Sequence, residues 1–334
     1  MSEKPVSDRY LKHLFWVSFA LFVTAASINF AAIETSPAPL FGPGVPPVAL
    51  GYTRSLLLFV APVAALAGWF VVHRKAYVAS LKAFKVTALV IFVIWSLLDI
   101  FLANAFFVFP VPEATLGLNV PAFTFGQGWL CNVPIEEFVF YATGSAFILL
   151  LYIFMGEVWF ASYARSDEER RKHGRTLPRI WRLSWGNVAL GVVLIAAAWG
   201  AKLAYSEFPE EFPGYATFLI TLIILPSIAF HHTIGDFINI RAFLVVSLSL
   251  TLVSVPWEVT LALPYGFWGY REQQMVGIFL RPWSNLPIEA SALWIAAAWN
   301  NVILFEVARV IQASERSTWE LLGFGKEPTA RARA

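Results

Sequence analysis

Long apolar runs dominate the chain, and short polar segments rich in proline and glycine separate them. A helix needs roughly 20 apolar residues to cross the hydrocarbon core of a bilayer. Eight runs of about 18–25 residues meet that length. They predict membrane helices at 14–33, 56–73, 86–109, 133–155, 187–205, 215–232, 242–263 and 287–311. We therefore predict an all-α integral membrane protein with about eight transmembrane helices.

The composition supports this fold class and excludes several others. Of the 334 residues, 58% are hydrophobic and 14% are charged, whereas soluble domains are about 25% charged. These values exclude a disordered chain, a typical soluble enzyme and a basic nucleic-acid binder. The single cysteine, Cys131, excludes an internal disulfide and a cysteine-based metal site. The lipid bilayer is the expected surrounding, and no nucleic acid is expected as a partner.

The distribution of Lys and Arg predicts the orientation of the chain. Most of these residues fall in the two terminal tails and in the loops after the second, fourth and sixth predicted helices. The positive-inside rule therefore places both termini in the cytoplasm and the protein in the cytoplasmic (inner) membrane. The first apolar run lacks a small-residue cleavage site, which favours a membrane helix over a signal peptide. The basic segment 165–182 is typical of an orientation signal that lies on anionic lipid.

The same order of features occurs in both halves of the chain. Asp99 precedes Pro134-Ile135-Glu136, and Glu258 precedes Pro287-Ile288-Glu289, at nearly the same separation. Because four predicted helices separate the copies, both have the same orientation, which predicts two parallel four-helix repeats. The predicted organisation is a first membrane repeat at 1–155, a basic cytoplasmic linker at 156–186, a second membrane repeat at 187–311 and a cytoplasmic tail at 312–334.

Acidic residues inside the predicted spans are the main candidates for chemistry. Counting along the helices places them in the outer half of the bilayer, where they can converge between the repeats, with no Lys or Arg expected beside them. Ionised acids in this setting are costly, so some of them are expected to carry a proton that they can donate. These residues are Asp99, Glu136, Glu137, Glu258 and Glu289. Glu306 and Arg309 lie three apart near the cytoplasmic end of the last helix and are expected to pair.

Aromatic residues flank these acids, and we predict that some of them bind the substrate. An aromatic face stabilises a cation by roughly 0.5–2 kcal/mol. An apolar cavity lined by acids and aromatic rings suits a reaction that protonates an alkene and passes through a carbocation. The candidate substrate-binding residues are Trp95, Phe138, Tyr141, Trp257, Trp268, Tyr270 and Trp294.

Other motifs argue against metal and cofactor chemistry. His231, His232 and Asp236 resemble a small metal-ligand set, but their position favours an ordinary interfacial helix end. Asp occurs too rarely for the paired aspartates of an Mg²⁺-dependent prenyl-diphosphate enzyme. The chain contains no dinucleotide fingerprint or phosphate-binding glycine loop. We expect no metal and no cofactor.

The motif at the start of the fourth predicted helix carries a family resemblance. Its residues are Pro134-Ile135-Glu136-Glu137-Phe138-Val139-Phe140. The second half contains Trp257-Glu258, then Gly266-Phe267-Trp268-Gly269-Tyr270, Val276-Gly277-Ile278 and Pro287-Ile288-Glu289. This order resembles the membrane-integral lycopene cyclases, which are heterodimeric in some bacteria and fused in archaea, other bacteria and fungi. The chain is similar to a divergent member of that carotenoid cyclase family.

The resemblance implies a cofactor-free cyclisation of the end of a linear carotenoid or another polyprenoid taken from the lipid phase. It implies that Glu136, Glu137 and Glu289 are catalytic and that Asp99 and Glu258 support them. It also allows for association with other enzymes of carotenoid synthesis. Ala290 departs from the family pattern, in which a second acid follows the glutamate, so the first half carries the more complete acid pair.

Two other functions remain open at this stage. A proton-coupled transporter also uses intramembrane carboxylates, and it usually carries glycine or proline breaks along the transport path. We expect no such breaks near the acids in the third, fourth and seventh predicted helices, which favours a fixed pocket. A non-catalytic membrane scaffold is the other alternative, and it would tolerate neutralisation of all five acids.

Overall fold

The computed structural model describes residues 46–324. Seven helices in that range are long and apolar enough to cross a membrane. They are α1 (Gly51–Val72), α2 (Arg74–Phe106), α3 (Ile135–Trp159), α5 (Trp185–Tyr205), α6 (Gly214–Phe237), α7 (Ile240–Ala262) and α8 (Ile288–Ser314), with a short polar helix α4 (Asp167–Thr176) between α3 and α5. The predicted all-α integral membrane fold is confirmed, and the helix predicted at 14–33 lies outside the described residues.

Helices α3 and α8, which carry the two motifs, form the centre of the bundle. Helix α8 contacts α2, α3, α6 and α7, and α3 also contacts α1 and α2. Each of these two helices begins directly after a proline, at Ile135 and at Ile288. Acidic side chains follow in the first turn of each helix, where the exposed amides and the helix dipole favour negative charge. The local sequence therefore determines where each motif helix begins and which residues form its first turn.

Short antiparallel strand pairs join the helices at the end of the bundle where α3 and α8 begin. Strand β2 pairs with β3 and β5 pairs with β6, whereas β1 pairs with β4 from the other half of the chain. The strands are β1 (Phe107–Val108), β2 (Asn119–Thr124), β3 (Gly128–Pro134), β4 (Gly269–Tyr270), β5 (Phe279–Leu280) and β6 (Leu286–Pro287). In the pair that links the halves, Phe107 lies opposite Tyr270.

The two halves repeat the same backbone contacts around their motifs. The amide of Ile135 donates to the carbonyl of Leu118 at 2.8 Å, and the amide of Ile288 donates to the carbonyl of Ile278 at 3.0 Å. Each bond ties the start of a motif helix to the loop that precedes it. The matching sequence order is therefore accompanied by matching local geometry.

Helix α7 is broken beside one of the acids. Pro256 lies inside this helix, and a wide π-helical turn covers Glu258–Ala262. Proline removes a backbone donor and clashes with the preceding turn, which disrupts the regular α-helical ladder. Single π-turns of this kind are frequent at functional sites. The expectation of no break near the acids is therefore wrong for the helix that carries Glu258.

The basic linker docks on the bundle through α4. Ser166 and Glu169 form a capping box that starts this helix, and α4 packs against α8. Arg170 is buried there, and its guanidinium contacts the carboxylate of Glu306 at 2.9 Å. Arg170, one of the basic residues expected to lie on anionic lipid, is therefore in the protein interior.

The predicted pairing of Glu306 with Arg309 is wrong. Glu306 accepts hydrogen bonds from Arg170 and from the hydroxyl of Tyr152. Arg309 instead contacts Glu157 at 2.5 Å and Asp167 at 2.7 Å. The spacing of three residues did not predict the partners correctly, because α4 packs on α8 and places Asp167 and Arg170 beside Arg309 and Glu306.

The orientation of the chain can be tested with its own cysteine. Cys131 is exposed on β3, at the end of the bundle where the motif helices begin. If both termini are cytoplasmic, this end faces away from the cytoplasm. We expect a membrane-impermeant maleimide to label Cys131 in intact cells, with Cys131→Ser as the unlabelled control. Labelling that requires permeabilised cells would reverse the predicted orientation.

Candidate active site

The glutamates of the first motif are buried against the start of α1. The hydroxyl of Tyr52 donates to Glu137 Oε1 at 2.6 Å. Glu136 Oε1 accepts from the hydroxyl of Thr53 at 2.5 Å and from the amide of Leu116 at 2.7 Å. Glu136 Oε2 has no hydrogen-bond partner among the described residues. The two neighbouring glutamates therefore have different donors, although both lie in the first turn of α3.

Asp99 faces a small cavity between the halves. Its Oδ1 accepts from the hydroxyl of Tyr141 at 3.1 Å, and its buried Oδ2 has no hydrogen-bond partner in the described range. The cavity holds about 20 Å³, which is room for about one water molecule. Its walls are otherwise apolar or aromatic and include Trp95, which stacks on Tyr141 with ring centroids 5.5 Å apart.

Glu258 has an equivalent arrangement in the second half. It is fully buried. It accepts from the hydroxyl of Tyr270 and, at 3.2 Å, from the indole nitrogen of Trp294. Burial and the neighbouring Glu258 raise the pKa of Tyr270 well above its ordinary value. The phenol therefore stays protonated and acts as a hydrogen-bond donor to the carboxyl group.

Glu289 occupies the position that matches Glu136. Its Oε1 accepts from the amide of Val276 at 2.6 Å, as Glu136 accepts from Leu116. Its Oε2 has no hydrogen-bond partner within residues 46–324. The same type of contact, from one loop amide to one motif glutamate, is thus present in both halves of this chain.

The structure brings four of the five candidate acids together. Asp99, Glu136 and Glu258 all lie close enough to Glu137 to interact with it electrostatically. Glu289 has a different neighbour, the ammonium group of Lys202. Lys202 lies in the last turn of α5 and is completely buried. The expectation that no base lies beside the acids is therefore wrong for Glu289.

Most of the candidate aromatic residues border the acids. Trp257 and Trp268 pack with ring centroids 4.8 Å apart, and Trp268 packs edge-on against Tyr52 at 5.5 Å. Trp95, Tyr141, Tyr270 and Trp294 contact the acids or the cavity as described above. Phe138 instead packs in a separate apolar cluster with Ala103, Ala122 and Val133. Its side chain supports the β2–β3 hairpin.

Sequence reasoning missed two tyrosines at the starts of α1 and α6. Tyr52 follows Gly51, and Tyr215 follows Gly214. Tyr52 packs on Trp268, while Tyr215 packs on Phe106 at 5.1 Å and lines the cavity that Asp99 faces. A Gly-Tyr pair at the start of a span in each half was the signal that could have identified them.

The histidine candidates do not form a metal site. His232 contacts the side-chain oxygen of Asn187 at 3.3 Å, and His231 packs against Trp299 with ring centroids 5.1 Å apart. Among the described residues, no group of three His, Cys, Asp or Glu side chains could hold a metal ion. These contacts are those of an ordinary helix end.

Comparison with known proteins adds no assignment. No protein-family model, curated protein or solved structure matches this chain. The functional argument therefore depends on the acids, their donors and the surrounding rings.

Proposed function

We propose that the protein is a lycopene-cyclase-like enzyme that cyclises the end of a linear carotenoid or another polyprenoid without redox chemistry. The observation that carries this proposal is the cluster of buried carboxyl groups held by neutral donors among aromatic rings. Asp99 and Glu258 each accept a hydrogen bond from a tyrosine, and Glu137 interacts electrostatically with both. The resemblance of the two Pro-Ile-Glu motifs to the membrane cyclases supports the same reaction class.

The proposed reaction begins with proton transfer from a carboxylic acid to a terminal carbon–carbon double bond. The resulting tertiary cation is attacked by an internal double bond, which closes the ring and moves the positive charge. A carboxylate then removes a proton from a carbon beside the new cation. One proton is added and one is lost, so the product has the same mass as the substrate and no cofactor is consumed.

The side chains divide this work in a specific way. Asp99 lines the cavity and has one carboxyl oxygen without a hydrogen-bond partner among the described residues, so in this proposal it is the acid that first meets a bound chain. Glu137 is its electrostatic neighbour and exchanges the proton with it. The rings of Trp95 and Tyr141 line the same space and stabilise the cation through their faces.

The small size of the cavity implies that substrate binding moves its walls. A volume of about 20 Å³ cannot hold the end of an isoprenoid. The walls come from four helices, with Trp95 on α2, Tyr141 on α3, Phe218 on α6 and Leu293 on α8. Entry from the lipid phase therefore requires these helices or their side chains to separate.

A proton-coupled transporter is the second candidate, and one observation favours it. The π-turn at Glu258, next to Pro256, is the kind of helix break that transporters place at ion sites. Such a protein would expose its acids to each side of the membrane in turn. It would leave the chemical structure of an isoprenoid unchanged.

Pigment analysis distinguishes these candidates. We would express the chain in a lycopene-accumulating bacterium beside Glu136→Gln/Glu137→Gln, and resolve the pigments by chromatography with mass detection. We expect a cyclic product of unchanged mass that disappears in the double variant. The exposed Glu113 lies in the loop before the first motif, and Glu113→Gln is the matched control that should retain activity.

The other outcomes are equally informative. A product heavier by one water would replace the cyclase by a hydratase that uses the same cation chemistry. Unaltered lycopene from a well-inserted protein would exclude lycopene as the substrate and favour another isoprenoid or the transporter.

A further inference from the structure

The buried ammonium of Lys202 has three hydrogen-bond partners. Its Nζ donates to the carbonyl of Gln273 at 2.7 Å, to the carbonyl of Met275 at 2.8 Å and to the hydroxyl of Ser206 at 3.3 Å. A lysine ammonium has three donors, so all of them are used. Burying a charged group is costly unless it is paired in this way. The contacts therefore fix the segment 273–275 against the end of α5.

One peptide group connects Lys202 to Glu289. The carbonyl of Met275 accepts from Lys202 Nζ, and the amide of the next residue, Val276, donates to Glu289 Oε1 at 2.6 Å. Both atoms belong to the same planar peptide unit. Hydrogen bonds in series polarise one another, so the ammonium strengthens the donor that Glu289 receives.

The packing around Gly277 holds this arrangement in place. Gly277 has φ +89°, and a side chain there would collide with the backbone of Ser206. The loop and the end of α5 are therefore in close backbone contact as well as hydrogen-bonded through Lys202. Elsewhere α5 is mostly exposed on the surface of the bundle, so its last turn is its main contribution to the site.

We infer that Lys202 is a positioning residue that orients the Met275–Val276 peptide and thereby stabilises Glu289 as a carboxylate, the proton acceptor of the reaction. The role of Glu289 as a proton acceptor rests on the proposed function. The effect of Lys202 on Glu289 does not depend on that function. The first-half acids lie in a cluster of like charge. Burial disfavours the carboxylate form of Glu289 as well, but there the Val276 amide and the ammonium group of Lys202 oppose that effect. Glu210 and Glu211, in the loop after α5, are the other acids near Lys202.

Infrared difference spectroscopy of the purified protein in detergent tests the link without any substrate. The Glu289 signal is identified by its loss in Glu289→Gln. We expect Lys202→Met to convert part of the Glu289 carboxylate signal into a carboxylic acid signal, and Lys202→Arg to restore the carboxylate. An unchanged Glu289 signal in folded Lys202→Met would overturn the inference.

A neutral variant with a polar side chain separates the effect of the Lys202 charge from the effect of its hydrogen bonds. It also provides a second test if Lys202→Met does not fold. Lys202→Gln can still donate to one carbonyl but carries no charge, so its Glu289 signal should fall between those of wild type and Lys202→Met. If Lys202→Met does not fold, Lys202→Gln alone decides, and a wild-type signal in it would overturn the role of the charge.

If the protein cyclises an isoprenoid, turnover gives a second test. Lys202→Met should lower kcat about 10- to 100-fold, the range expected from losing a charge-assisted hydrogen bond, with KM little changed. In a Glu289→Gln background, the same change should have no further effect on kcat. If the kcat losses of the two single variants multiply in the double variant, Lys202 does not act through Glu289 and the positioning role is overturned. Failure to find any cyclisation would leave the spectroscopic result unaffected.

Discussion

Glu137→Gln is expected to lower the rate of the proposed cyclisation by about 10³-fold, within the range of 10²–10⁴ for a general acid–base group. Glu137 interacts electrostatically with Asp99, Glu136 and Glu258, and in the proposed mechanism it exchanges a proton with Asp99. The amide oxygen of glutamine can still accept from the Tyr52 hydroxyl. The variant therefore removes the exchangeable proton while it retains the shape and the main hydrogen bond of the site.

The matched control lies at the same position of the other motif. Ala290 occupies the place of Glu137 in the first turn of α8 and is completely buried. Ala290→Ser adds one hydroxyl to that position and should lower the rate much less than Glu137→Gln does. The measurement is conversion of lycopene per amount of inserted protein. Equal activity of Glu137→Gln and wild type would remove Glu137 from the proposed mechanism.

Arg170→Met is expected to destabilise the protein by about 3–5 kcal/mol, the usual cost of breaking a buried ion pair on one side. Arg170 and Glu306 are both almost completely buried, with side-chain exposures of 5% and 3%. Removing the guanidinium leaves Glu306 with the Tyr152 hydroxyl as its remaining hydrogen-bond donor within residues 46–324. Reversible unfolding in mixed detergent micelles measures the loss directly.

An exposed ion pair in the same linker provides the control. Arg165 contacts Glu169 at 3.0 Å, and both side chains are about half exposed. Arg165→Met should cost no more than about 1 kcal/mol, because solvent already screens that pair. Arg170→Met/Glu306→Leu should recover part of the stability by removing the unpaired acid as well. A loss below about 1 kcal/mol in Arg170→Met would show that α4 does not anchor the bundle.

The membrane helices could be predicted from the sequence because span length is a local property. Seven of the predicted spans have a counterpart in the described helices, and their ends differ by at most five residues except at the start of α2, which begins at Arg74 and not at residue 86. The docking of α4 could not be predicted, because the Arg170–Glu306 contact joins residues far apart in the chain. The break at Glu258 was visible as Pro256, but the π-turn that accompanies it depends on packing.

The candidate site was predictable in its acids and not in their partners. Acidic residues in apolar runs are conspicuous, and the structure places all five candidates in the buried interior. Their donors come from other parts of the structure: Tyr52 from α1, Tyr141 from α3 and Tyr270 from the loop after α7. The burial of Lys202 could not be predicted, because two of its three hydrogen-bond partners, the carbonyls of residues 273 and 275, lie in a distant loop.

The ladder between β1 and β4, which is one of the contacts between the two halves, is held together by backbone groups. In β1 and β4 the contacts are hydrogen bonds between main chains, and the amide of Arg271 adds a further bond to the carbonyl of Phe106. Every residue except proline can make such bonds, so side chains on either side can change without loss of register. The two halves can therefore differ in side-chain chemistry at matching positions. The first half has Glu137 where the second has Ala290, so a scaffold with matching backbone contacts holds two neighbouring acids on one side and a single acid on the other.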